Sequence, residues 1–76
     1  MRVSYYGRLA EAAGVRSEEV AGAATVGALR ATLARRVVGL GDAGKVRAVV
    51  DDVVVGEEYR LDEVEEVGFL PPVSGG

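Results

Sequence analysis

Thr25-Val-Gly-Ala-Leu-Arg-Ala-Thr-Leu-Ala-Arg-Arg-Val-Val38 is the long stretch of this sequence that carries a helical period. Val26, Leu29, Leu33 and Val37 recur at i, i+3, i+7 and i+11, which gathers four apolar side chains into one stripe. Thr25 stands just before them, where a hydroxyl can accept from a free amide of the first turn. Arg35 and Arg36 fall in the last turn, favourable for the helix dipole, and Gly39, Gly41 and Gly44 prevent continuation. The pattern predicts a helix over residues 26–38 with one buried stripe.

N-terminal to it, Val3 and Tyr5 alternate with Arg2, Ser4 and Tyr6, the period of a strand with one buried face. Leu9 to Ala13 reads as a short helical turn closed by Gly14. A second strand near Ser17 to Ala21 brings the chain back antiparallel. C-terminal to the helix, Val46 to Val50 and Val53 to Val55 flank Asp51-Asp52, the spacing of a tight hairpin. Leu61 is placed to plug the core. Val67 to Leu70 make a last strand with Val67 and Phe69 on one face, and Pro71-Pro72 end it because neither donates a ladder hydrogen bond. The order β-β-α-β-β-β describes an α+β domain. A mixed sheet of about five strands with one main helix packed on one face fits the ubiquitin-like β-grasp. The domain is expected over residues 1–72, with residues 73–76 a flexible tail ending in Gly-Gly.

With 76 residues, no cysteine and no histidine, the chain offers one small core and lacks the commonest catalytic and metal-ligating side chains. Catalysis by the isolated chain, a metal site and a resident cofactor are therefore not expected. The net charge of -3 is unevenly spread: residues 1–50 hold eight basic and four acidic side chains. Beyond them Asp51, Asp52, Glu57, Glu58, Asp62, Glu63, Glu65 and Glu66 meet Arg60 alone. Such a segment repels phosphate backbones, and no aromatic-plus-basic pattern for stacking bases accompanies it, so nucleic acid is not an expected partner. Its plainest reading is a solvated face. No leader-like apolar segment opens the chain and no run approaches the ~20 residues of a membrane span. No membrane contact is expected, and the expected location is cytoplasmic.

Phe69-Leu-Pro-Pro-Val-Ser-Gly-Gly76 reads as a handle. Pro71 and Pro72 stiffen the exit from the sheet, Val73 and Ser74 extend it, and Gly75 and Gly76 fit where any Cβ would collide. The Gly76 carboxylate is a group that an enzyme could convert to an acyl adenylate, open to a sulfur or nitrogen nucleophile. Gly76 would then carry a group without catalysing its transfer. In a chain with 11 glycines, Gly-Gly alone is a weak signal. The octapeptide after a closing strand is far more specific.

That octapeptide, with Val3-Ser-Tyr-Tyr, Thr25-Val-Gly-Ala-Leu-Arg and Arg47-Ala-Val-Val, resembles the MoaD-like small subunit of molybdopterin synthase, a ubiquitin-like sulfur carrier family. The resemblance spans essentially the whole chain. It implies that an ATP-dependent activating enzyme adenylates Gly76, a sulfur donor converts it to a thiocarboxylate, and the large synthase subunit uses the sulfur on a pterin precursor. Two charged small subunits per dithiolene imply a heterotetramer. ATP belongs to the activating enzyme. Two positions depart from the family pattern: Val64 where a glycine is usual before the acidic pair Glu65-Glu66, and Ala10 where many relatives carry arginine.

A carrier for thiamine or tRNA thiolation shares the fold and the Gly-Gly end, but the Pro-Pro-Val-Ser spacer argues against it. A protein modifier would join Gly76 to a target lysine; the lone Lys45 speaks against chains built on itself. A structural domain without carrier chemistry is the remaining class. Val54 and Leu70 are expected to point away from the helix if Val53, Val55, Val67 and Phe69 face it, giving an apolar docking patch beside the tail. The acidic segment is expected to steer the chain toward a basic rim on the partner.

Overall fold

A computed structural model describes residues 1–72. The elements are β1 (Arg2–Tyr5), α1 (Arg8–Ala13), β2 (Ser17–Glu19), α2 (Val26–Leu33), β3 (Arg47–Val50), β4 (Val53–Val55) and β5 (Glu66–Leu70). They form a five-stranded sheet in the order β2-β1-β5-β3-β4. β1 and β5 are parallel, and the other neighbouring pairs are antiparallel. The last strand in sequence is thus the middle strand in space. This is the mixed-sheet α+β architecture of the β-grasp.

Strand alternation puts Val3, Tyr5, Ala48, Val50, Val67 and Phe69 on one face, all buried. Against them pack Val26, Leu29 and Leu33 of α2, together with Val37, Leu40 and Leu61 from the connecting segments. Thr25 caps α2, its Oγ1 accepting from the Ala28 amide at 3.2 Å. Asp51 and Asp52 form the β3–β4 hairpin turn with φ of 50° and 65°. Positive φ at both central residues matches the right-handed twist of the strands, and a short acidic side chain tolerates it better than a β-branched one.

The C-terminal ends of two elements fall short of expectation. α2 ends at Leu33 instead of Val38: the chain tightens there, with the Arg36 and Val37 amides both donating to the Leu33 carbonyl. Val37 still reaches the core, so the stripe outlasts the helix, while Arg35 and Arg36 lie beyond its last turn. β2 ends at Glu19 instead of Ala21, after which the Val20 amide makes one more bond, to the Met1 carbonyl. Val53 lies on the helix side of the hairpin register but is 60% exposed, because β4 is an edge strand and no described residue covers its start. Val64 avoids positive φ and packs partly against the core, so the missing glycine introduces no backbone strain there.

Candidate functional site: the root of the tail and the open sheet face

Val73, Ser74, Gly75 and Gly76 lie outside the described residues. β5 delivers Leu70 to the end of the sheet, opposite Arg47 of β3. The next residue, half-buried Pro71, is held against the turn between β1 and α1. At Gly7, with φ of 55°, a Cβ would stand 2.9 Å from Pro71 Cγ. The turn thus needs glycine twice, for its backbone angle and for its proline neighbour. Just before this contact the Tyr6 amide donates to the Phe69 carbonyl at 3.2 Å, extending the parallel β1–β5 ladder to the start of the tail. Exposed Pro72 borders, with Pro71, Leu9 and Val38, a small hollow of about 260 Å³ flanked by Arg8 and Lys45.

On the sheet face away from α2, Tyr6, Val49, Val54, Gly68 and Leu70 line a groove of about 580 Å³. Register places Val54 opposite Val49 and Val49 opposite Gly68, so the apolar strip runs across three strands. A Cβ at Gly68 would meet Tyr6 Cε2 at 2.9 Å, so the missing side chain lets the ring lie over the strand. Val54 is 52% exposed and Leu70 is half-buried. Asp51, Asp52 and Glu66 border the groove at its hairpin end. The acidic segment continues there, at the end of β5 opposite the tail, around a hollow of about 980 Å³. Among the described residues no cluster of three metal-ligating side chains is assembled, and no helix is long and apolar enough to cross a membrane.

A family profile described as the ThiS family matches residues 3–76. The chain belongs to the ThiS family. Within reach of that family lies the molybdopterin synthase sulfur carrier subunit of Escherichia coli (strain K12), 36% identical over 81 residues, covering 100% of this chain and 99% of that protein. Small archaeal modifier protein 1 from Methanosarcina acetivorans is 26% identical with a TM-score of 0.78, covering 99% of this chain and 94% of that one. A chain in the BexX/CysO complex of Amycolatopsis orientalis is 26% identical with a TM-score of 0.72, covering 99% and 98%.

In this ThiS-family chain the structure adds residues that the pattern did not single out. Arg30 is 5% exposed. Its Nε and Nη2 donate to the two carboxylate oxygens of Glu57 at 2.7 and 2.9 Å, and its Nη1 donates to the Leu40 carbonyl at 2.9 Å. The guanidinium also sits 5.5 Å from the centre of the Phe69 ring, so one side chain ties α2 and two loops to the strand that carries the tail. Its place was readable: Arg30 follows Val26 by four residues and precedes Leu33 by three, on the buried stripe. Its burial was not, because Glu57 lies 27 positions away.

Beside β1, the Tyr5 hydroxyl donates to Glu18 Oε2 at 2.6 Å, and Arg36 Nη2 donates to the same oxygen at 2.7 Å. Burial, then the Glu18 carboxylate, pushes the Tyr5 phenol well above its usual range. The Tyr5 hydroxyl, reinforced by Arg36, holds the Glu18 carboxyl below its usual range. Ala10 is half-buried at the margin of a hollow beside Tyr6 and Gly7 and offers no charged contact.

Proposed function

We propose that this chain is a sulfur carrier for molybdopterin synthesis, serving as the non-catalytic small subunit of a two-subunit sulfurtransferase. In the proposed cycle, an oxygen of the Gly76 carboxylate attacks the α-phosphorus of ATP on an activating enzyme and pyrophosphate leaves. A sulfide-level nucleophile from a sulfur donor then attacks the acyl carbon and displaces AMP, leaving a thiocarboxylate. The large synthase subunit would receive the tail, and the sulfur would pass to a pterin precursor. ATP is a substrate of the activating enzyme, and the carrier itself needs no cofactor. The cytoplasm is the proposed location, where that enzyme finds its ATP.

The observation that carries this reading is the match to a sulfur carrier subunit, which covers the whole of this chain, its Gly-Gly end included. The geometry of the tail root supports it. Pro71 is braced on Gly7, and Val54 and Leu70 lie on an open apolar face beside the exit. Intact mass spectrometry tests it: with the activating enzyme, ATP and a sulfur donor present, one terminal oxygen should be replaced by sulfur. A terminus that stays a carboxylate under those conditions defeats the reading.

The likeness to small archaeal modifier protein 1 favours a second reading, in which the activated Gly76 is captured by a lysine of another protein. Covalent adducts that survive reducing agent and require Gly76 would move the assignment that way.

A further inference from the structure

We propose that Arg8, Lys45 and Arg47 form a cationic collar around the tail, and that the collar fits a partner protein whose tail-entry opening has an acidic rim. The inference rests on the carrier reading and names the chemistry of the surface that receives the tail.

Three observations carry it. Arg8 and Lys45 flank the hollow that Pro71 and Pro72 border, and Arg47 stands opposite Leu70 in the β3–β5 register, so cations surround the exit on both sides of the sheet. All three are exposed, and none has an ion-pair partner among the described residues. Asp42 of the same hollow accepts from the Gly44 amide at 3.1 Å and keeps its negative charge, so the three cations leave the collar net positive by two. Arg16 and Glu11, in the adjoining hollow, offset each other.

The charge reverses at the other end of β5. Glu19, Asp51, Asp62, Glu63, Glu65 and Glu66 surround the large hollow there against Arg2 and Arg60, and those two cations are themselves paired, with Glu19 and Asp62. From Glu66 to Leu70 the strand spans roughly 13 Å. That exceeds the Debye length of about 8 Å at 0.15 M salt, so a surface meeting the tail end senses the collar more than the distant carboxylates. The expected steering by the acidic segment thus gives way to steering by the collar.

Reach decides which part of the partner the collar meets. Residues 73–76 span at most about 14 Å when extended. With Gly76 at the reacting atoms, the collar stands about a tail's length away, at the mouth of the opening and not on a nucleotide or substrate. Carboxylates at that mouth would pair with cations that have no ion-pair partner among the described residues, whereas a basic mouth would meet a net positive surface.

The test is stopped-flow association of the full chain with the large subunit of molybdopterin synthase, at about 0.01 M and about 0.15 M salt, where the Debye length is about 30 and about 8 Å. The triple variant Arg8→Glu, Lys45→Glu, Arg47→Glu should associate at least tenfold more slowly at the lower salt, and the gap should narrow at the higher. At about 0.15 M salt, Glu63→Lys with Glu65→Lys, at the remote end and outside the groove, should change the rate less than threefold. Circular dichroism confirms folding. An unchanged or faster rate for the folded triple variant overturns the collar alone, because wild-type binding would still uphold the carrier reading. Failure of the wild type to bind overturns both.

Discussion

The two faces of the sheet are built from the same kind of residue and treated in opposite ways. Toward α2, Val3, Ala48, Val67 and Phe69 are completely buried, and Arg30 fills the margin with each of its donor groups bonded. Away from α2, Val49, Val54 and Leu70 line an open groove with Gly68 between them. Side chains on the first face specify the fold, so their loss should be felt as stability. Apolar groups on the second are unfinished packing, so their loss should be felt in association.

Three substitutions can break or sharpen that contrast. Phe69→Ala removes the largest fully buried side chain and the ring beneath Arg30. Urea denaturation should show a loss of about 3–5 kcal/mol. Arg30→Met keeps bulk but strands the buried Leu40 carbonyl; Glu57 is partly exposed and can rehydrate, so about 2 kcal/mol should be lost. Leu70→Arg should reverse the pattern, weakening large-subunit binding at least tenfold in calorimetry, or about 1.4 kcal/mol. Its unfolding free energy should stay within about 0.5 kcal/mol of wild type. A Leu70→Arg protein that unfolds easily would place Leu70 with the core and erase the contrast.

The smallest effect comes from the Tyr5–Glu18–Arg36 cluster at the margin between the faces. A carboxyl whose folded pKa is lowered contributes stability above its ordinary range and loses it as pH falls through the folded value. The gap between wild type and Glu18→Gln should therefore be full near neutrality and shrink once pH drops below about 4. The Tyr5 phenol is raised, so its contribution is full below about pH 10 and lost above it. Tyr5→Phe should lack that alkaline decline. Parallel pH profiles for wild type and both variants would remove the cluster from the stability account.

Local features of the fold were legible because they follow from local rules. Period-2 alternation found β1 and β5, the i, i+3, i+7, i+11 spacing found the stripe of α2, and paired aspartates marked the hairpin. The end of α2 was not legible, because Val37 reaches the core from a tightened turn as well as it would from a helix. At the candidate site, the end of β5 before Pro71 was readable from its residues, but the surroundings of the exit were not. Sheet order sends most of the acidic segment to the far end of β5 and brings Arg8 together with Lys45 and Arg47 at the near one. Gly68 within a strand was the available sign of a close approach, here by Tyr6.

The position of β5 also decides where the chain tolerates a cut. Among the described residues the strand pairs β1–β2 and β3–β4 share no ladder with each other; within the sheet each is joined to the other only through β5, whose residue 66 pairs with residue 2. A protease that cleaves between Arg60 and Glu65 and frees the segment beyond would remove the sheet's centre. Two isolated two-stranded ribbons would remain, each marginal at best in water. A nick after Pro72 would leave every described ladder in place. Limited proteolysis should therefore yield either a trimmed, folded domain or small peptides, with no stable fragment ending before residue 66.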